Sequence, residues 1–216
     1  MIQTHRGKWM KRILTIAFLF LAACTSSPAE NFIEGTHYKV LDLPEAENTV
    51  WEVYSVFCPF CERFDNSINP VIKKALPKGA SFESVYFPQY NAFGSEAANV
   101  LAVMKVLGED RYEKVKSYYF TEIITNNAVS LVGQDHDFFI DKGLEAGGVE
   151  RKLYEETLKS DEVQKILDEW NSRANAVVAE SKGIPAVVVK GKYLIDLKQV
   201  KSEDMLVREI LYLLKK

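Results

Sequence analysis

Cysteine and histidine are scarce in this chain, with three of each in 216 residues, and that scarcity excludes several kinds of site. Zinc held by Cys58 and Cys61 would need about two more ligands. No second Cys or His pair has suitable spacing. His37 and His136 read as surface or loop residues, and Asp135-His136-Asp137 reads as a helix start rather than a metal site. The chain also lacks low-complexity tracts, a repeat period and long blocks of like charge, which argues against solenoids and nucleic-acid-binding tails. No apolar run is long enough to cross a bilayer as a mature helix.

What is present is a hydrophobic fraction of 47%, enough to bury a core in one domain or in one domain carrying an insertion. The formal net charge is −3, and the first 23 residues hold four cations (Arg6, Lys8, Lys11, Arg12) and no acid. Removing those four leaves −7 on the remainder. An acidic body argues against nucleic acid as a partner. The basic start, the apolar run Ile13 to Leu21 and the small residues after it have the layout of a secretory signal over 1–23. Met10-Lys11-Arg12 is a second possible start. Leu21-Ala22-Ala23-Cys24 resembles a bacterial lipoprotein signal, which implies lipid on Cys24, a tether over 24–33 and anchoring to a membrane. With Cys24 so consumed, Cys58 and Cys61 remain, and a separate structural disulfide is excluded.

Tyr38 to Leu41 is a short strand candidate. Asn48 to Phe57 is rich in β-branched and aromatic residues on both faces, as expected of a central strand covered on both sides. Its single charge, Glu52, is out of place there. Cys58-Pro59-Phe60-Cys61 follows, with Pro59 suited to a first helical position where its missing N–H costs nothing. Helical spacing continues to Leu76, and Pro70 should kink or split that helix. Ser81 to Phe87 reads as a strand parallel to the first. Helical segments then occupy about 93 to 182, broken at Gly108, Gly133 and Gly147-Gly148. Gly183-Ile184-Pro185 leads into a hairpin, Ala186–Val189 and Tyr193–Ile195 around Lys190-Gly191-Lys192. Ser202 should cap a last amphipathic helix.

Two thiols two residues apart can close and reopen a disulfide. Cys58, at the helix N-terminus among unpaired backbone N–H groups, is the candidate nucleophile, and Cys61 sits one turn inside. A helix dipole contributes up to ~2 kcal/mol and one pKa unit is about 1.4 kcal/mol, so the dipole alone moves a thiol roughly one unit. Larger shifts need direct hydrogen bonds. Phe60 cannot donate one, so Cys58 is expected to titrate higher than in a Phe60→His variant.

Val56-Phe57-Cys58-Pro59-Phe60-Cys61, Leu76-Pro77-Lys78-Gly79, Gly183-Ile184-Pro185-Ala186 and Gly191-Lys192-Tyr193 together resemble the DsbA family of thiol:disulfide oxidoreductases. The Pro-Phe dipeptide and Glu34-Gly35-Thr36-His37-Tyr38 resemble its DsbL branch. The resemblance implies an α/β thioredoxin fold over 34–92 and 183–216, with an all-helical insertion over 93–182. It implies a cis Ile184–Pro185 bond facing the disulfide, with Ile184 backbone groups free to pair with an extended substrate. It also implies that Glu52 assists proton transfer at Cys61. The lysine usual in the family near that glutamate is replaced here by Ser84.

By the same resemblance the chain is expected to be a periplasmic, monomeric oxidase that passes the Cys58–Cys61 disulfide to reduced exported proteins. A mixed disulfide at Cys58 is the intermediate. Reoxidation falls to a membrane quinone reductase of the DsbB or DsbI type, and no cofactor is implied. The alternatives are a reductase of the same fold, or a lipoprotein that binds clients without turnover. An isomerase is disfavoured because no dimerisation domain precedes the fold.

Overall fold

Every residue of the strand Thr49–Tyr54 is buried, and this strand (β2) lies inside a five-stranded sheet, between β3 and β4. The computed structural model describes residues 31–127 and 135–216. The expected signal peptide, Cys24, residues 24–30 of the tether and the Gly133 break lie outside them. The sheet order is β1-β5-β4-β2-β3, with β1 at Tyr38–Val40, β3 at Ser81–Tyr86, β4 at Ala186–Val189 and β5 at Tyr193–Ile195. β2 and β3 run parallel, pairing Glu52 with Ser84. The other neighbours are antiparallel. The hairpin β4–β5 turns at Lys190 and Gly191, both with positive φ, as a two-residue hairpin turn requires. A Cβ on Gly191 would also lie 2.6 Å from the Pro44 carbonyl oxygen, so glycine is needed there twice over.

Between β2 and β3 the chain makes two helices, α1 (Pro59–Ser67) and α2 (Asn69–Ala75). The break at Ile68 is the expected work of Pro70, which cannot donate to the Asn66 carbonyl. Between β3 and β4 come a short 3-10 turn, Pro88–Tyr90, then α3 (Gly94–Leu107), α4 (Glu109–Phe120), α5 (His136–Gly147), α6 (Arg151–Leu158) and α7 (Asp161–Ser181). α4 runs into a wider π turn, Thr121–Thr125, closed by Asn126 N–H to Thr121 O at 2.8 Å. The uninterrupted helix expected there is thus loosened where Thr-Glu-Ile-Ile-Thr crowds β-branched side chains. α8 (Glu203–Lys215) closes the chain, its first turn capped by Ser202 Oγ accepting from Met205 N–H at 3.1 Å.

Alternation along β2 and β4 divides the core. Val50, Val187 and Val189 pack with Ile72 of α2 and with Leu206, Ile210 and Leu213 of α8. Trp51, Val53, Ala186 and Val188 face the other way, into a cluster shared with α3 to α7. Phe32 to Lys216 form one compact unit, so the helices between β3 and β4 and the sheet share their core. No helix among the described residues is long and apolar enough to cross a membrane.

Candidate functional site

Cys58 is the N-cap of α1, in extended conformation (φ −106°, ψ 113°), and Pro59 opens the helix behind it. The Cys58 carbonyl accepts from the N–H groups of Cys61 (3.0 Å) and Glu62 (3.1 Å), so the first turn is closed, and because Pro59 has no N–H only that of Phe60 is left over in it. Both thiols are free and buried. The Ile184–Pro185 peptide is cis, and the Cys58 sulfur lies 3.6 Å from the Ile184 carbonyl oxygen, to which it donates when protonated. The loop before β4 therefore lies directly against the nucleophile candidate, 126 residues away in sequence.

The two cysteines differ sharply in acidity. The Cys58 thiol is lowered from 9.0 to about 6, first by a hydrogen bond from Cys61, then by the backbone N–H groups of Cys61 and Phe60 and by the Tyr90 hydroxyl, against the opposing effect of burial. Cys61 is pushed far up by burial, by its bond and charge interaction with Cys58, and to a lesser degree by the charge of Glu52. One sulfur is a thiolate at neutral pH and the other holds its proton.

Phe60 projects outward, 63% exposed, with the Arg63 guanidinium 4.7 Å from its ring centre. It overhangs a groove of about 900 Å³ lined by Phe64, Ile68, Ile184, Pro185 and Leu197. A trough with these apolar side chains, lined also by Lys39, Arg63, Glu180, Lys182, Asp196 and Lys198, lies beside a redox pair and suits an extended peptide segment.

Glu52 lies beneath this surface, 1% exposed, on the β2 face turned toward α2. Its Oε2 accepts from Asn69 Nδ2 at 2.6 Å, and its Oε1 is buried without a hydrogen-bond partner among the described residues. Burial, reinforced by the charge of Asp65, raises its pKa from 4.5 to about 8, against the Asn69 bond and the cations Lys116 and Lys73.

Sequence reading brought Cys58, Phe60, Cys61, Glu52, Ile184 and Pro185 into view, and the fold places the first three with Ile184 and Pro185 at one surface and Glu52 below. It missed Tyr90, Asn69, Asp65 and Lys116. Lys116 had a legible signal: it lies four residues after Tyr112 and three before Tyr119, so a lysine shares the face of two buried tyrosines. Tyr90 had none, because only the 3-10 turn after β3 aims it at Cys58.

A thioredoxin family profile matches residues 40–209. The chain is 32% identical to the thiol:disulfide interchange protein DsbL of Escherichia coli O6:H1, covering 89% of this chain and 92% of that protein. It is 27% identical to the thiol:disulfide interchange protein DsbA of Yersinia pestis over 83% of this chain and 84% of that protein. The crystal structure of DsbL from Salmonella enterica serovar Typhimurium superposes with a TM-score of 0.79 at 30% identity, over 87% of this chain and all of that one.

Proposed function

From the premise that this chain belongs to the DsbA-like, thioredoxin-fold thiol:disulfide oxidoreductases, we propose that it works as an oxidase that donates the Cys58–Cys61 disulfide to reduced exported proteins. The observation that carries the direction is the acidity of Cys58, about 6. A thiolate favoured about tenfold over its thiol at pH 7 stabilises the reduced enzyme by about 1.4 kcal/mol, or about 30 mV toward the oxidising side for a two-electron couple. The same anion is a good leaving group. Hydrogen bonds around Cys58 therefore favour giving the disulfide away.

In the reaction a substrate thiolate attacks Cys58 of the disulfide, forming the substrate–Cys58 bond and expelling Cys61 as a thiolate. Glu52, protonated at neutral pH, returns a proton to Cys61. A second substrate thiolate then attacks the substrate sulfur of the mixed disulfide and releases Cys58 as its stabilised thiolate. The substrate has lost two electrons and the enzyme has gained them. Ile184 offers backbone groups to the extended substrate beside Cys58, Pro185 sets that loop, and Phe60 supplies apolar contact at the groove. Reoxidation belongs to a membrane quinone reductase of the DsbB or DsbI type, and the enzyme works as a periplasmic monomer tethered by lipid on Cys24.

Equilibration with glutathione tests the direction. An oxidase should show a potential well above thioredoxin's value of about −270 mV, toward the about −120 mV of DsbA, and should oxidise a reduced test protein. A thioredoxin-like potential would identify a reductase, and no turnover would leave a client-binding lipoprotein.

A further inference from the structure

Lys116 is a lysine in the core. It is carried by α4, it is 1% exposed, and it reaches across to α1, where its Nζ lies 2.9 Å from Asp65 Oδ1. On its own helix Nζ lies 2.6 Å from Glu113 Oε2, and the rings of Tyr112 and Tyr54 stand 5.5 and 5.8 Å away. Burial works against its charge, but Tyr112, Asp65 and Glu113 outweigh it, so it remains an ammonium. A buried ion pair that leaves its partner's second contact unmade is costly. Here Asp65 has that contact: its Oδ1 also accepts from Asn69 Nδ2 at 2.9 Å, and the same amide nitrogen donates to Glu52 Oε2 at 2.6 Å. Lys116, Asp65, Asn69 and Glu52 thus form one continuous chain of contacts from α4 to β2.

We propose that Lys116 is a positioning residue for the proton chemistry of Glu52, acting through Asp65 and Asn69, so that the helical segment between β3 and β4 supplies the counter-charge that the strand beside Glu52 does not. Ser84, the β3 residue paired with Glu52, is uncharged, and Val187, its β4 partner, is apolar. The charged and titratable groups that act on Glu52 come instead from α1 (Asp65, Cys61), α2 (Lys73) and α4 (Lys116, with Glu113 paired to both lysines). Two acids, Glu52 and Asp65, share one amide. Lys116 holds Asp65 in place, which fixes the Asn69 donor on Glu52 and leaves Glu52 Oε1 as the oxygen free to exchange a proton. Without that cation the pair of acids would repel, and Glu52 would hold its proton too tightly to give it up.

The proposal rests on the relay reading of Glu52, and its test separates the two. In the full chain, Lys116→Met, Asp65→Asn, Lys116→Arg and Glu52→Gln are followed by the infrared carbonyl band of the protonated Glu52 carboxyl against pH, identified by its loss in Glu52→Gln. The pH dependence of oxidation of a reduced test protein is recorded alongside. Lys116→Met should raise the Glu52 midpoint by about half a unit or more, Asp65→Asn should lower it, and Lys116→Arg should stay near wild type. The rate profile should move with the band. Unchanged midpoints in both Lys116→Met and Asp65→Asn would overturn the proposal. If Lys116→Met does not fold, Asp65→Asn decides alone, a lowered midpoint supporting the proposal and an unchanged one overturning it. A Glu52→Gln rate profile identical to wild type, with the band still shifting in Lys116→Met, would sink the relay reading and leave the positioning of Glu52 by Lys116 standing.

Discussion

Asn69 Nδ2 donates to Glu52 Oε2 at 2.6 Å, and this amide is the only hydrogen-bond partner that the buried carboxyl has among the described residues. A single neutral donor cannot replace the hydration that an ionised carboxylate loses on burial. Proton retention follows, and it has consequences for stability as well as for turnover.

Because the folded state raises the Glu52 value from 4.5 to about 8, it binds more protons than the unfolded chain between those values, and folding stability falls as pH rises through that window. At about 1.4 kcal/mol per unit, the loss is on the order of 4–5 kcal/mol. Glu52→Gln removes it. Denaturant titrations should find the variant close to wild type near pH 4 and increasingly more stable up to about pH 8, with the gap constant beyond. A gap that does not change with pH would contradict a buried, proton-holding Glu52.

Tyr90 stands where a thiolate donor is needed, 48% exposed at the end of the 3-10 turn and hydrogen-bonded to Cys58. Tyr90→Phe should raise the Cys58 midpoint above about 6, by roughly half a unit to one unit for the loss of one donor to an anion. Thiolate absorbance against pH reads this directly. The sign carries into stability: a lowered thiol value stabilises the reduced protein above the unfolded value of about 9, a contribution lost as pH falls through about 6. The variant's reduced form should lose part of that advantage, and its oxidised form should not change.

Phe60→His places a donor between the cysteines, where the ring now donates nothing. The Cys58 midpoint should fall below about 6, and the disulfide should become a stronger oxidant. Equal midpoints would mean that the exposed ring acts through substrate contact alone, in which case binding of an apolar peptide at the groove should weaken instead.

Pro185 adjoins the Ile184 carbonyl that contacts Cys58 at 3.6 Å. Pro185→Ala should slow resolution of the mixed disulfide, so that substrate-linked enzyme accumulates on a non-reducing gel. Turnover at the wild-type rate with no such species would remove Pro185 from the mechanism.

Local chemistry made much of this molecule readable from sequence. Pro59 and Ser202 mark helix starts, Pro70 splits α1 from α2, and Lys190-Gly191 turns the hairpin, each because one residue's own backbone or cap preference decides the outcome. Glu52 stood out because a charge inside an apolar strand is anomalous. Tyr90 was hidden for the opposite reason, since nothing near it in sequence requires a tyrosine; the spacing of Lys116 from Tyr112 and Tyr119 marks it as buried but not what it meets, and the partners Cys58 and Asp65 arrive from other elements. The missing lysine at Ser84 read as an absent charge, whereas the charge enters from α4. The widened turn at Thr121–Thr125 belongs to the same class, since Thr125 hydroxyl meets Glu62 of α1 only once the fold is made.

The bond between Lys116 and Asp65 also limits how this protein can be rebuilt. A hybrid that swaps α3 to α7 for an unrelated helical bundle of the same shape would keep the strands and the cysteines, yet would leave the two acids under the redox pair without Lys116, and with only Lys73 of α2 to offset them. Such a transplant should fold less well as pH rises, and it should recover when the incoming bundle carries a lysine one helical turn after the residue that takes the place of Tyr112.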